Sequence, residues 1–245
     1  MGKGLLGCGS VFYAEIDAAG NKGSWVNFGN STKFEIKENT KLEERKGRGC
    51  DNYGAALDSV VVREASDINI SLDEFNRKNL ATAFLGESSA VVLAAGTVTD
   101  EAHTVTDAEG FVKVAHGNIS NVAITGSVID TDYAVKDAAN GLISFIEGGN
   151  ITDGSSVLVS YDYAAATYDT VTSGVNPNKR IALMLIGKNM ADNKGLTAVV
   201  HETTISPTSS VDFLSDTFST IDLSGKVILS ESGQSYDVVY NKTVV

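Results

Sequence analysis

The sequence predicts an all-β protein with one flanking helix. Three observations carry that reading. Short runs of alternating apolar residues recur along most of the chain, and only 2 prolines against 24 glycines mean that Gly, Asn and Asp make the turns between them. A single stretch, residues 71–86, has helical spacing with start and stop signals at its ends. Composition shifts between 88 and 171, which divides the chain into a core of 1–87 with 172–245 and an inserted β module at 88–171.

In the helical stretch, SLDEFNRKNLATAFLG, Ser71 and Glu74 form an S-x-x-E capping box, each side chain satisfying a backbone donor of the first turn. Asp73 and Glu74 also suit the positive end of the helix dipole. Leu72, Phe75, Leu80, Ala83 and Phe84 recur at three- and four-residue spacing as the core-facing side, with Arg77, Lys78 and Thr82 elsewhere, and Gly86 ends the helix. One short amphipathic helix among strands covers the open side of a sheet. It is expected to plug a β-sandwich core, with Phe84→Asp giving insoluble protein.

Before the helix, Val11, Tyr13 and Glu15 read as a first strand and Trp25, Val26 and Phe28 as a second, closed by Gly29-Asn30. Residues 33–45, KFEIKENTKLEER, contain no Gly or Pro; Phe34, Ile36, Thr40 and Leu42 share one side and a charged set the other. Such a strand is roughly 40 Å long at about 3.3 Å per residue, more than a small sandwich needs. Residues 46–57 are a glycine-rich loop with Arg48 and Tyr53, and loops this long are usually functional or disordered. Residues 58–64 and 67–70 are two further strands, the second running into the helix.

Within the inserted module, residues 132–163 are the clearest part: strand, Asn-Gly turn, strand, Asp-Gly turn, then a strand with Val157, Val159 and Tyr161 in phase. In the tail, 180–186 (RIALMLI) is nearly continuous in apolar residues, as a fully buried strand would be. Strands are expected over 196–205, in the later part of 213–223, and over 226–229 and 236–240.

Hydrophobic residues at 42% and charged residues at 20% are globular values. The formal net charge of -12 lacks any basic stripe that could neutralise phosphates, which argues against tight nucleic-acid binding; it also fits simple solubility. Cys8 and Cys50 have neither disulfide-framework nor zinc spacing. The apolar run in MGKGLLGCGS is too short for a signal peptide and no segment has the length of a membrane span, so a reducing cytoplasm is the expected compartment.

Catalytic motifs are not expected. The G-x-G-x-x-G string at Gly2, Gly4 and Gly7 has no strand before it or helix after it. His103, His116 and His201 are scattered, Asp130 and Asp132 start a calcium-loop pattern that Ala134 and Lys136 break, and there is no nucleophile elbow. No cofactor and no metal follow from these patterns. The informative features are architectural: a long charged strand, a glycine loop behind it and an acidic balance, which also fit an ordinary surface hairpin with a mobile tip.

Several of these residues, in their order along the chain, resemble the major tail tube protein of phages with long non-contractile tails. They are G-C-G before the V-x-Y strand, F-G-N from Phe28, K-L-E-E from Lys41, and the D-x-N-x-S-L-D-E entry to a helix ending N-L-A-T-A-F-L-G. R-I-A-L-M-L-I-G-K-N from Arg180, I-S-P-T-S from Ile205 and L-S-G-K-V from Leu223 complete the set. The resemblance covers most of 1–87 and 175–245, and the module resembles the extra β domains such proteins carry.

The resemblance implies a β-sandwich with a flanking helix that assembles as stacked homo-hexameric rings, the inner sheets closing into a ring barrel around a lumen. It implies a structural virion protein made in the host cytoplasm, with tape measure and tail terminator or tip proteins as partners, and no enzyme. DNA would pass without specific binding, and the 88–171 module would lie on the tube exterior. Glu35, Glu43, Asp58 and Asp67 are the candidate lumen carboxylates; Arg45, Arg48 and Tyr53 belong to a hairpin reaching the neighbouring subunit or ring. A β-sandwich binding module for a receptor or glycan is the competing class, with an enzyme third. Tube proteins of contractile tails or type VI secretion would share the core but need a sheath.

Overall fold

A computed structural model describes residues 4–230 and 233–242; Gly2 of the terminal glycine string lies outside them. In chain order the elements are β1 (Gly7–Glu15), β2 (Val26–Asn27), β3 (Ser31–Lys46), β4 (Ala56–Leu72), α1 (Arg77–Ala83) and β5 (Glu87–Leu93). There follow β6 (Gly96–Thr104), β7 (Phe111–Lys113), β8 (Ile119–Ile124), β9 (Tyr133–Asp137), β10 (Leu142–Phe145), β11 (Ser156–Tyr163) and β12 (Ala166–Thr172). The chain ends with β13 (Arg180–Asn189), β14 (Lys194–Pro207), β15 (Ile221–Val227) and β16 (Tyr236–Lys242). Among the described residues the protein is all-β with one short helix.

The chain divides into two compact units, Met1–Ser88 with Val171–Val245, and Ser89–Thr170. The first is built on an eight-stranded sheet in the order β2-β1-β13-β14-β15-β4-β3, with β16 beside the other half of β14. Its core joins residues from both ends of that path: Val11 and Tyr13, Ile181 and Leu183, and Ile68, Ile70, Leu72, Ile221 and Leu223. The sheet therefore curls so that one face encloses the core. Phe28, fully buried, stacks on Tyr13 with ring centroids 4.3 Å apart. Gly29 makes the next turn at φ +81, and a Cβ there would lie 2.1 Å from Glu74 Oε2.

The helix is shorter than expected and starts later. Ser71 lies in β4 opposite Asp222, and its hydroxyl donates to Asp222 Oδ1 at 2.5 Å. Glu74 accepts from the Asn30 amide at 3.0 Å, while Asp73 holds the Asn30 side chain. The predicted capping box is therefore used up in tertiary contacts, and Asn76 is the cap, its side chain accepting from Lys78 N and Asn79 N. The covered residues are Asn79, Ala81, Thr82 and Ala83; Phe75 is exposed, and Phe84 is half-buried with its ring 6.2 Å from that of Phe213. Leu85, at φ +49, takes the left-handed position, and Gly86 N closes on Ala81 O at 2.7 Å.

Other boundaries shift for the same reason. The strands expected at 58–64 and 67–70 are one strand, β4, with a bulge between them. The pieces expected around 213–223 and 226–229 meet in β15. β13 buries Ile181 and Leu183 on its core face, but on the other face only its start is covered: Ala182 is buried while Ile186 is 47% exposed.

The second unit has its own core, in which Val157, Val159 and Tyr161 of β11 are buried with Ile143 and Tyr133. Its sheets are β7-β10-β9 and β6-β11-β8. β5 and β12 form a two-stranded ribbon.

Candidate functional site

The feature of the first unit that its own core does not explain is the β3–β4 hairpin. Near Leu72 it belongs to the body: Phe34 pairs with Ile70 and Ile36 with Ile68, and both isoleucines are fully buried. Pairing then continues from Asn39 with Glu64 to Lys46 with Ala56, where both faces are open and Leu42, Val60, Val61 and Val62 are all exposed. This arm, residues 39–64, extends about 27 Å beyond the bulge at roughly 3.4 Å per residue.

The tip, expected as an aperiodic loop over 46–57, is folded and shorter. Gly47 N donates to Ala55 O at 2.8 Å and Gly54 N to Gly47 O at 3.0 Å. Asn52 fills the inside so closely that a Cβ on Gly47 would lie 2.4 Å from its carbonyl oxygen. Arg48 and Tyr53 stand exposed there, while Arg45 is one step back, cross-strand from Asp58.

At the root, the bulge places Glu38 among three donors. Tyr236 Oη donates to it at 2.5 Å, Ser66 Oγ at 2.9 Å and Arg63 Nη2 at 3.3 Å. These bonds, Tyr236 first, hold the Glu38 carboxyl below the usual carboxylate range, and the hydrogen bond to Glu38, followed by burial, pushes the Tyr236 phenol up. Asn39 Nδ2 spans the gap to Ala65 O and Asp67 Oδ2 at 3.0 and 2.8 Å. Tyr236 also packs against the main core, so the arm is tied to the body by a side chain 198 positions from Glu38. No local pattern in the sequence singled out Glu38, Ser66 or Tyr236.

Strand alternation puts all four candidate carboxylates on one face of the ribbon. Glu35 and Asp67 lie on its body half, Glu43 and Asp58 on the arm. Three have a lysine beside them: Lys33 to Glu35 at 2.6 Å, Lys41 to Glu43 at 2.5 Å and Lys226 to Asp67 at 2.5 Å. Hydrogen bonds from Lys226 and Asn39 hold the Asp67 carboxyl below its ordinary range.

The histidines fall outside this region. His103 bonds Glu101 at 2.8 Å, His116 bonds Tyr161 Oη at 3.0 Å, and His201 bonds Asp237 at 2.8 Å. Among the described residues there is no group of three His, Cys, Asp or Glu side chains able to hold a metal ion, and no helix long and apolar enough to cross a membrane. A groove beside α1 holds Lys179, nearly buried, whose ammonium lies 2.6 Å from Glu15 and 5.9 Å from the Tyr13 ring centre.

Fold and arm together define an all-β protein whose curled sheet extends into a free two-stranded ribbon. The chain belongs to the family described as "Protein of unknown function UCP028589", whose model matches residues 5–237. No curated protein matches it.

Proposed function

We propose that the chain is a structural virion protein that polymerises as stacked hexameric rings into a phage tail tube, the channel through which DNA passes during ejection. The observation that carries this is the arm. A two-stranded ribbon standing alone in water is marginal at best, yet this one stays paired from Asn39 with Glu64 to Lys46 with Ala56 and exposes Leu42 and Val61 on one face and Val60 and Val62 on the other. A chain that builds such a ribbon with no cover of its own is made to lay it on another molecule. The order of motifs resembling tail tube proteins supports taking that molecule as a further copy of the chain.

In this reading Glu43 and Asp58 travel with the arm, and Glu35 and Asp67 stay with the body sheet and face the channel. Because Lys33 and Lys226 pair with those two, repulsion of DNA phosphate rests chiefly on the net charge of -12 per chain, repeated around each ring. The Ser89–Thr170 unit is assigned to the tube exterior. Negative-stain electron microscopy of the purified chain, dilute and then concentrated, tests the proposal. Hollow tubes with a regular ring repeat are expected; a chain that stays monomeric at every concentration refutes it.

A further inference from the structure

β13 is apolar on both faces, the pattern of a strand covered on both sides. One face is in the core, where Tyr13, Leu183, Val200 and Tyr236 form a cross-strand row. On the other face the register builds three rows across β1, β13, β14 and β16. The first is Phe12, Met184, Val199 and Asp237; the second Ser10, Ile186, Thr197 and Val239; the third Cys8, Lys188, Gly195 and Lys242. Phe12, Met184 and Val199 are half-buried, Ile186 and Val239 are 47% and 50% exposed, and among the described residues nothing completes their cover. Lys188 and Lys242 are exposed and make no ion pair among the described residues.

The arm offers the complementary pattern. Along β4, Asp58, Val60, Val62 and Glu64 share a face, an acid at each end of two valines that are 60% and 46% exposed. Neither Asp58 nor Glu64 has an ion pair among the described residues, whereas Glu43 on the same face is held by Lys41. Alternate residues of any strand are about 6.8 Å apart, so the acid-valine-valine series has the same spacing as Lys188, Ile186 and Met184. Continuous pairing with its own sheet, broken only by bulges, keeps the arm from folding back onto its own body.

We infer that the β1-β13-β14-β16 face is the landing site for the arm of a second copy, with Glu64 over the Lys188–Lys242 row, Val62 over Ile186 and Val239, and Val60 over Met184. This placement rests on the self-assembly reading and adds where the contact falls. Arm and face are different surfaces, so each copy gives one contact and receives another, and the contact can repeat without closing on a pair. A ribbon about 27 Å long and 10 Å wide covers far less than the roughly 800 Å² per partner of a stable complex, so a single contact holds only at high concentration.

Two variants test the placement when mixed. One carries Cys8→Ser, Cys50→Ser and Val62→Cys; the other carries only Cys50→Ser and keeps Cys8, which faces the same side as Lys188. A short bismaleimide should link the two chains in the mixture and neither variant to itself, and Leu42→Cys, on the opposite arm face, should give no link in place of Val62→Cys. Lys188→Glu with Lys242→Glu, or Asp58→Lys with Glu64→Lys, should raise the concentration needed for assembly at least about tenfold. All four changes together should lower it again. Tubes from the unmodified chain without the Val62 link overturn the placement and leave the tube reading standing. A link without tubes upholds the placement and removes the tube reading; neither link nor tubes overturns both.

Discussion

Replacing Asn76 by alanine removes the side chain that caps the N-terminus of α1. Its carboxamide oxygen accepts from Lys78 N at 3.1 Å and Asn79 N at 3.0 Å, and the first turn has no acidic residue to take over. Loss of such a cap costs about 1 kcal/mol on average and about 2 at the upper end. The upper half applies here, because the helix cannot slide to a new cap. Asn79 is buried and its side-chain amide is fixed to Phe28 O at 2.8 Å and Glu74 O at 2.9 Å. The expected loss is about 1.5–2 kcal/mol, which lowers the melting temperature of the first unit by about 3–8 °C at roughly 2–4 °C per kcal/mol. Differential scanning calorimetry of the whole chain reads it, with Asn76→Ser, which restores an acceptor, as the control. If Asn76→Ala and Asn76→Ser melt within about 1 °C of each other, the cap does not hold the helix and the reasoning fails.

Gly29→Ala should destabilise the first unit by about 1–2 kcal/mol, since alanine is strained in the left-handed region. Adding Glu74→Ala removes the clash but not that strain, so full rescue in urea denaturation would contradict the assignment. Burial, and then the Glu15 charge, pushes the Tyr13 phenol up to about 12; burial, and then the Glu101 hydrogen bond, does the same for Tyr161. Both raised values mean stability that is complete below about pH 10 and is lost as pH rises towards the folded value. Ultraviolet titration should show at least two late tyrosines among the 8 in the chain, one of them removed by Tyr13→Phe. Burial raises the Glu101 carboxyl, but the Tyr161 hydroxyl, the Ala115 amide and His103 outweigh it and leave the group below its ordinary range. The stability it gives is present above about pH 4.3 and lost as pH falls through the folded value. Glu101→Gln should therefore flatten the acid limb of melting in the Ser89–Thr170 unit, and an equally steep limb would reject the role.

Periodicity was readable wherever burial alone decides it. Val157, Val159 and Tyr161 alternate inward, as do Ile68 and Ile70, because a two-residue period needs no knowledge of the partner strand. The length of β3 was equally plain, since 33–45 contains nothing that stops a strand. What the sequence hid depends on distant partners. The S-x-x-E at Ser71 is a sound local signal, but Asp222 and Asn30 occupy its two side chains. Ala65 and Ser66 looked like a gap between strands because a bulge removes alternation without ending pairing. The Glu38 root is assembled from Arg63, Ser66 and Tyr236, which no window joins. RIALMLI suggests burial on both faces; a single copy covers one face and, on the other, Ala182, leaving Ile186 exposed.

The bulge in the hairpin also fixes the phase of everything beyond it. Between Lys37–Asp67 and Asn39–Glu64 the outer strand advances two residues while β4 advances three. If the same residues paired without the bulge, strict alternation from Asp67 would turn Arg63, Val61 and Ser59 to the side now held by Glu64, Val62 and Val60. One residue thus chooses between two chemically different ribbons with the same composition. A change of length between Ala56 and Glu64 would invert that choice, whereas a change at the tip would leave it intact.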